Sequence, residues 1–388
     1  MMTWPARHLL MRRALSLVVG SVGCQNPIVT APTTPPGGGL VQLVLVPASV
    51  TLQSGQGQQF TASGRSSNGG SVAVSVTYTA AGGTITPSGL YTAGSAAGNY
   101  WVYATQTGGT LRDSAAVSVT APPSPVSGCT APQPWWIWCD DFEQNRLGSY
   151  YEYGNAGGTF VPVAGAGRNG GTAMRAHFAV GTVSAGYLHL ALGKTPGSYF
   201  KPVDAGTAVY RELYWRFYFR IQPGWIGGAA DKLTRGLSFV DATTFNSVAY
   251  VQLWGAGASK PNFLALDPAS GTDAAGNIIT TGWNDFAHMR WLGAKAGVTP
   301  LFDTAHAGGW YCIEVHARLN DPGLSNGGFE YWINGVLDAQ ETGLNWVGAY
   351  QTYGLNAVWL ENYWNQGSPA AQDRYFDDFV VSTQRIGC

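Results

Sequence analysis

The segment GWYCIEVHARLNDPGLSNGGFEYWINGVLDAQ, at residues 309–340, constrains the fold more than any other part of the chain. Residues 311–318 alternate large apolar and polar side chains, the turn-rich run NDPGLSNGG follows, and FEYWINGVLDAQ resumes a two-residue period. Alternation interrupted by Pro, Gly and Asn is typical of antiparallel strands joined by loops. The segment therefore predicts a strand, a loop, a second strand, a tight primed turn at Asn334-Gly335 and a short third strand.

Composition extends this prediction to the whole chain. Its 388 residues include 53 Gly, 15 Trp and 19 Tyr, and only 11% of them are charged. Many Gly, Thr, Val and aromatic residues with few charged runs favour an all-β fold with many turns. The formal net charge of -1 leaves no basic face, so nucleic acid is not an expected partner.

The first 24 residues have the pattern of a bacterial export signal. Arg7, Arg12 and Arg13 precede the apolar run ALSLVVGSV, which is too short to span a bilayer. The run SVGC that ends at Cys24 resembles a lipobox, although Ser21 stands where an aliphatic residue is usual. Two alternatives stay open: acylation of Cys24 in an outer-membrane lipoprotein, or ordinary cleavage. Either predicts a secreted or cell-surface protein that meets a membrane only through a lipid anchor.

Four cysteines follow Cys24, and an even number in an exported chain predicts two disulfides. Cys129 with Cys139 would close a short loop, and Cys312 with Cys388 would fasten the last strand. Pairing of Cys139 with Cys388 stays open, because the first and last strands could be neighbours. The cysteine spacings do not match a zinc site, and the six His residues are scattered.

Composition also predicts the domain boundaries. Residues 25–40 are a Pro, Gly and Thr linker, and residues 41–120 give seven short alternating runs, as in a small β-sandwich. Residues 121–128, APPSPVSG, form a second linker. Residues 129–388 then give about eleven strands with Gly-rich loops, which a two-sheet jelly roll accommodates. We expect a monomer.

Two family resemblances add to this pattern. Three segments resemble the bacterial Ig-like group 2 domain: PASVTLQSGQGQQFTASG, TYTAAGGTITPSGLYTAGSAAGNYWVYAT and DSAAVSVT. This resemblance implies a spacer or adhesion module. ELYWRFYFRIQPGWIGGAADKLTRGLSF, SVAYVQLWGAG, the segment at 309–340 and YFDDFVVST are similar to polysaccharide lyase family 14. That second resemblance implies a concanavalin A-like jelly roll, and cleavage of alginate or related uronate polymers by β-elimination.

β-Elimination requires a cation or amide for the uronate carboxylate, a base for the C5 proton and an acid for the leaving oxygen. In the family a lysine follows the YFR-type strand, and by resemblance Lys232 takes that place. The family's Ser-x-Arg strand keeps only the serine here, as Ser247, and its Tyr-x-Tyr strand lacks both tyrosines. Tyr250, Gln252 and His189 are therefore the further catalytic candidates, since their strands could line the same face.

Substrate contacts are predicted from aromatic and cationic side chains. Arg216 and Arg220 could bind a uronate carboxylate bidentately. Trp254 offers a flat face for a sugar ring, and the run LENYWNQG supplies Asn362, Tyr363 and Trp364 as a polar and aromatic loop. The alternative for most of the aromatic side chains is packing in the core, and for the two arginines it is an ion pair at the strand surface.

Carboxylate chemistry is less favoured. The Glu-x-Asp-x-(x)-Glu strand of jelly-roll glucanases is missing from the sequence. The pairs Asp140-Asp141 and Asp377-Asp378 lie on the expected first and last strands, where hydrogen bonding or a structural calcium ion is expected rather than catalysis. We expect no catalytic metal or cofactor. Two function hypotheses remain: a lyase of a uronate-containing polysaccharide, and a non-catalytic glycan-binding or adhesive surface module.

Overall fold

The computed structural model describes residues 39–53, 56–94, 96–120, 128–229 and 232–388. The predicted signal segment, Cys24 and most of the two predicted linkers lie outside these ranges. Within them, no helix is long and apolar enough to cross a membrane.

The first ten strands form three small sheets around one core. Their bounds are β1 Leu40–Val46, β2 Ser49–Gln53, β3 Gly57–Gln59, β4 Thr61–Ser66, β5 Ser71–Val72, β6 Val76–Ala80, β7 Gly83–Ile85, β8 Leu90–Ala93, β9 Gly98–Gln106 and β10 Arg112–Thr120. The sheet orders are β1-β4-β5, β2-β10-β9-β6 and β3-β8-β7. Phe60, Tyr91 and Val102 are fully buried between them. The predicted small β-sandwich is present, with ten short strands instead of seven.

Sixteen more described strands follow. Their bounds are β11 Trp136–Asp140, β12 Glu152–Gly154, β13 Phe160–Ala164, β14 Thr172–Phe178, β15 Ser184–Ala191, β16 Glu212–Ile221, β17 Lys232–Phe239, β18 Ser247–Gly255, β19 Leu264–Ser270, β20 Arg290–Trp291, β21 Lys295–Ala296, β22 Tyr311–Arg318, β23 Gly327–Ile333, β24 Val336–Leu344, β25 Ala357–Tyr363 and β26 Gln372–Ser382. Two 3-10 turns, Leu147–Ser149 and Ser198–Phe200, are the described helical segments.

These sixteen strands form two eight-stranded antiparallel sheets. Sheet I has the order β13-β14-β26-β16-β22-β23-β24, with β11 also on β26. Sheet II has the order β12-β15-β25-β17-β18-β19-β20, with β21 also on β19. One apolar cluster fills the space between them, and it includes Trp215 and Phe217 from sheet I and Val251 and Leu360 from sheet II. The predicted all-β fold, a small sandwich and a larger jelly roll, is confirmed.

The segment at 309–340 folds as its pattern predicts. β22 and β23 pair from Ile313 with Ile333 to Arg318 with Gly328. Asn334 and Gly335 both have positive φ, 51° and 79°, as a primed two-residue turn requires. The third strand, β24, has nine residues and is longer than predicted.

The two predicted disulfides are formed, and they pair Cys129 with Cys139 and Cys312 with Cys388. The alternative pairing of Cys139 with Cys388 is therefore wrong. Cys139 lies opposite Val380 of β26, but the chain continues past β26, and this places Cys388 against β22 and Cys312.

Candidate functional site

A cleft of about 480 Å³ opens on the face of sheet II that points away from sheet I. Five aromatic rings, two acids and three cationic or imidazole groups account for most of its lining. The residues are Glu152, Ser184, Tyr187, His189, Lys232, Arg235, Phe245, Trp283, Asn284, Trp359, Glu361 and Tyr363.

Strand register explains why these side chains meet. His189 of β15 lies opposite Trp359 of β25, and Trp359 lies opposite Arg235 of β17. Residues directly opposite each other on neighbouring strands present their side chains on one face. Residues at alternate positions along β25, Trp359, Glu361 and Tyr363, therefore share the cleft face, while Leu360 packs into the core.

Lys232 and Tyr363 form one end of the cleft. Lys232 is half-buried and lies opposite both Tyr363 and Trp254, next to an irregularity in the pairing of β17. Its Nζ lies 4.3 Å from the centre of the Tyr363 ring. A cation over the face of a tyrosine ring is held there by the ring quadrupole. The lysine charge thus lies over the face of the Tyr363 ring in the cleft.

Arg235 and Glu361 form a buried ion pair in the floor. Arg235 Nε and Nη2 donate to Glu361 at 2.5 and 2.9 Å, and the Arg235 side chain is 3% exposed. The guanidinium also lies 5.3 Å from the Trp283 ring centre and 5.4 Å from that of Trp359. Because this cation is already neutralised bidentately, it organises the floor rather than offering a charge to a ligand.

His189 is clamped between two rings. Its imidazole stacks on Trp359 at 3.6 Å and on Tyr187 at 4.2 Å between ring centres. Nδ1 lies 2.6 Å from Glu152 Oε2, and Glu152 also accepts a hydrogen bond from the Tyr199 hydroxyl. Burial lowers the pKa of His189, against the raising effect of Glu152, so the ring is neutral near pH 7. A neutral ring that donates from Nδ1 keeps its lone pair on Nε2.

The structure brings three of the predicted site residues together in the cleft: Lys232, His189 and Tyr363. Gln252 and Trp254 lie on the same face of sheet II, one strand further along. Tyr250, two residues from Gln252, also lies on that face, but it is 1% exposed, packed in one cluster with Phe239, Trp359 and Ala269 and 6.3 Å from Trp283 between ring centres. Ser247 is fully buried, and its hydroxyl donates to Ser238 O and Ala249 O at the end of β18.

The remaining predicted contacts lie outside the cleft. Arg216 and Arg220 are on sheet I: Arg216 is 1% exposed and donates to Gly387 O, and Arg220 donates to Ala166 O. Asn362 is buried, accepts a hydrogen bond from Arg374 Nε and donates to Gly186 O. Trp364 packs in the core on Trp225, with 5.8 Å between ring centres. The predicted polar and aromatic loop is therefore not formed, because Asn362 and Tyr363 are the last two residues of strand β25.

Several cleft residues were not among the predicted site residues: Glu152, Ser184, Tyr187, Arg235, Phe245, Trp283, Asn284, Trp359 and Glu361. Two of them carried a signal in the sequence. Tyr187 and His189 alternate in GYLHLALG, and Glu361 alternates with Tyr363 in AVWLENY, so each pair had to share a face. Trp283 and Asn284 lie on a loop, where no periodicity applies.

The acidic pairs serve hydrogen bonding and ion pairing. Asp140 and Asp141 both bind Arg146, and Asp378 binds Arg168 at 3.0 Å. Asp377 accepts hydrogen bonds from the backbone N–H groups of Arg168 and Asp378. Across the described ranges no group of three His, Cys, Asp or Glu side chains could hold a metal ion.

A comparison with known proteins found similar solved structures. No protein-family model and no curated protein matches the chain. Alginate lyase vAL-1 from Chlorella virus is 12% identical, with a TM-score of 0.42 over 61% of this chain and 94% of that one. The endo-beta-1,4-glucuronan lyase from the fungus Trichoderma reesei is 14% identical, with a TM-score of 0.43, and the match covers 64% of this chain and 96% of that one. The marine PL-14 alginate lyase from Aplysia kurodai is 10% identical, with a TM-score of 0.42, and the match covers 64% of this chain and 99% of that one.

Proposed function

We propose that the chain cleaves a uronate-containing polysaccharide by β-elimination in the cleft around Lys232. The observation that carries this proposal is the content of the cleft itself. A lysine ammonium, two tyrosine hydroxyls and flat aromatic walls lie in one groove on sheet II. These are the groups that a carboxylate-bearing sugar chain and its elimination require.

Lys232 binds the carboxylate of the uronate whose C4–O bond breaks. The ammonium charge stabilises the negative charge that develops on this carboxylate as the C5 proton leaves. Trp283 and Trp359, with 5.2 Å between ring centres, offer faces on which neighbouring sugar rings stack. The carboxylate end of the sugar is thereby oriented toward Tyr363.

Tyr363 and Tyr187 carry the proton transfers. One hydroxyl, as phenolate, takes the C5 proton, and the electron pair of the C5–H bond forms the C4=C5 double bond. The C4–O bond breaks at the same time, and the leaving oxygen takes a proton from the other tyrosine. The products are a 4,5-unsaturated uronate and a new reducing end, and no water is consumed. The His189 stack holds the Tyr187 ring in place.

Export and the division into domains belong to the same proposal. Residues 41–120 act as an Ig-like spacer and residues 129–388 as the catalytic jelly roll, on a secreted or lipid-anchored chain. Two disulfides suit an oxidising compartment, in which an extracellular polysaccharide is available.

The test is to incubate the full chain with alginate, polyglucuronate and other uronate polymers and to follow the ultraviolet absorbance of the unsaturated product. We expect Lys232→Met and Tyr363→Phe each to lower kcat by at least about a hundredfold, the usual scale for a lost proton-transfer or charge-stabilising group. Lys260→Met, at an exposed lysine, is the matched control. Absorbance that stays flat on every polymer would contradict the proposal.

A glycan-binding module is the second candidate. It is favoured by the buried Arg235–Glu361 ion pair and the His189–Glu152 hydrogen bond, because these groups already have partners within the cleft. Retarded migration of the chain in gels that contain one of the polymers, without any unsaturated product, would establish binding alone.

A further inference from the structure

The face that carries the cleft continues for three strands beyond it. Arg235 lies opposite Gln252 of β18, and Gln252 lies opposite Asp267 of β19. Ala269, two residues along from Asp267, lies opposite Trp291 of β20. Side chains in such rows share one face of the sheet. Three strand spacings of about 4.8 Å and an offset of two residues at about 3.4 Å each separate Arg235 from Trp291 by roughly 16 Å.

Gln252 and Asp267 form a polar step on this path. They are 6% and 8% exposed, and neither side chain makes a hydrogen bond or ion pair with any other described residue. Burial raises the pKa of Asp267 to about 6. Their polar atoms still reach solvent at the surface of sheet II, so a sugar hydroxyl can meet both side chains there.

An exposed aromatic pair lies beyond the polar step. Phe286 is 54% exposed and Trp291 is 45% exposed, and their rings stack with 6.0 Å between centres. Trp283, on the same loop, is part of the cleft wall. The same loop therefore presents exposed aromatic rings both at the cleft and beside β20.

The loop that carries these rings is fixed by its own hydrogen bonds. Asp285 accepts hydrogen bonds from the backbone N–H and the hydroxyl of Thr281 and lies 2.8 Å from His288 Nδ1. Arg290 donates to Thr272 O and Trp346 O. A stacked pair held on a fastened loop pays little ordering entropy when a ligand binds.

We propose that Phe286 and Trp291, with Gln252 and Asp267, form an additional sugar-binding subsite, which takes the next sugar units of the polysaccharide bound in the cleft. The rings stack on sugar faces, and the Asp267 and Gln252 side chains bind sugar hydroxyls. This inference rests on the proposed function and extends it, because it makes the chain selective for long oligosaccharides over short ones. Asp267 would repel a uronate carboxylate, so the subsite presents itself to the hydroxyl edge of a sugar.

The test compares a uronate octasaccharide with the trisaccharide of the same polymer. The measured quantity is the ratio of their kcat/KM values, with retardation in polymer-containing gels as a readout that is independent of activity. For the full chain with Phe286→Ala and Trp291→Ala together we expect the ratio to fall about tenfold, the effect of losing two stacked rings. Asp267→Asn, which keeps the shape of the side chain, should lower the ratio about fivefold through the lost charged acceptor.

Trp101→Ala is the matched control, since this tryptophan is 48% exposed on β9. It should leave the ratio unchanged, and thermal melts should show that all variants fold. An unchanged ratio and unchanged retardation in the Phe286 and Trp291 variant, with normal cleavage by the parent chain, would overturn the additional subsite alone. A parent chain that neither cleaves nor binds any polymer would overturn both this inference and the proposed function.

Discussion

Arg235 and Glu361 show how strongly one pair of charges can govern the cleft. Their side chains are 3% and 10% exposed, and they exchange two hydrogen bonds. Glu361→Gln would leave the guanidinium buried without its counter-charge, so we expect it to lower the free energy of unfolding by about 3–5 kcal/mol. Arg235→Met combined with Glu361→Leu should cost less than Glu361→Gln alone. Urea unfolding of the parent chain, of Glu361→Gln and of the double variant measures these differences in the free energy of unfolding.

Glu341→Gln provides the matched control, because Glu341 pairs with Lys295 at a site where the two side chains are 28% and 48% exposed. It should change the free energy of unfolding by less than about 1 kcal/mol. If Glu341→Gln and Glu361→Gln lower the free energy of unfolding equally, burial does not determine how much the Arg235–Glu361 pair stabilises the fold.

Sequence patterns located some cleft residues and not others for identifiable reasons. Alternation fixes which residues of a strand share a face, so His189 could be chosen as a face residue, whereas Tyr363 was predicted as part of a loop. It does not say which of two sheets a strand joins, and Arg216 and Arg220 were therefore assigned to a groove that their sheet does not reach. Trp283 lies on a loop without periodicity, and only long-range packing places it over Trp359.

The pairing of some strands could be predicted from the sequence, and the pairing of others could not. β22 and β23 are joined by a short loop, so their pairing follows from the pattern of 309–340. The cleft depends instead on β15 pairing with β25 and β25 pairing with β17, and those partners are more than a hundred residues apart. No local signal encodes such pairings, because they are decided by the burial of the whole sheet.

Three neighbouring strands of sheet I converge on His316. The imidazole of β22 lies 2.8 Å from Glu212 Oε1 of β16 and 3.2 Å from Glu330 Oε2 of β23, and it stacks on Tyr214. Burial alone would lower its pKa, but the two carboxylates raise the pKa of His316 to about 9. The protonated histidine therefore ties β22 to both of its neighbours.

This arrangement predicts the direction of a pH effect. The folded pKa of His316 is above its unfolded value of about 6.5, so its contribution to stability is complete below that pH and is lost as the pH rises through 9. The loss amounts to roughly 3 kcal/mol. Urea unfolding at about pH 5.5 and about pH 10 should show this fall in the parent chain and a much smaller one in His316→Gln. Equal falls in both proteins would assign the pH dependence to other groups.

The two disulfides tie down very different lengths of chain. Cys129 and Cys139 are ten residues apart in sequence, and Cys312 and Cys388 are 76 apart. The second bridge also holds the C-terminal residues over sheet I, where the N–H groups of Ile386 and Gly387 donate to buried Glu314 at 2.6 and 3.1 Å. Cysteine counting predicted both bridges but left Cys139 with Cys388 open, since only the path of the chain after β26 decides between them.

Removing the longer bridge should cost more. A cross-link lowers the entropy of the unfolded chain by an amount that grows with the loop it closes, so Cys312→Ser with Cys388→Ser should lose about 2 kcal/mol more than Cys129→Ser with Cys139→Ser. Urea unfolding compares the two double variants. Hydrogen exchange at Ile386 and Gly387 adds a local readout, because released C-terminal residues leave the Glu314 carboxylate without its donors and expose their own amides. If the two variants lose equal stability and those amides stay protected, the C-terminal residues are held by their packing on sheet I and not by the disulfide.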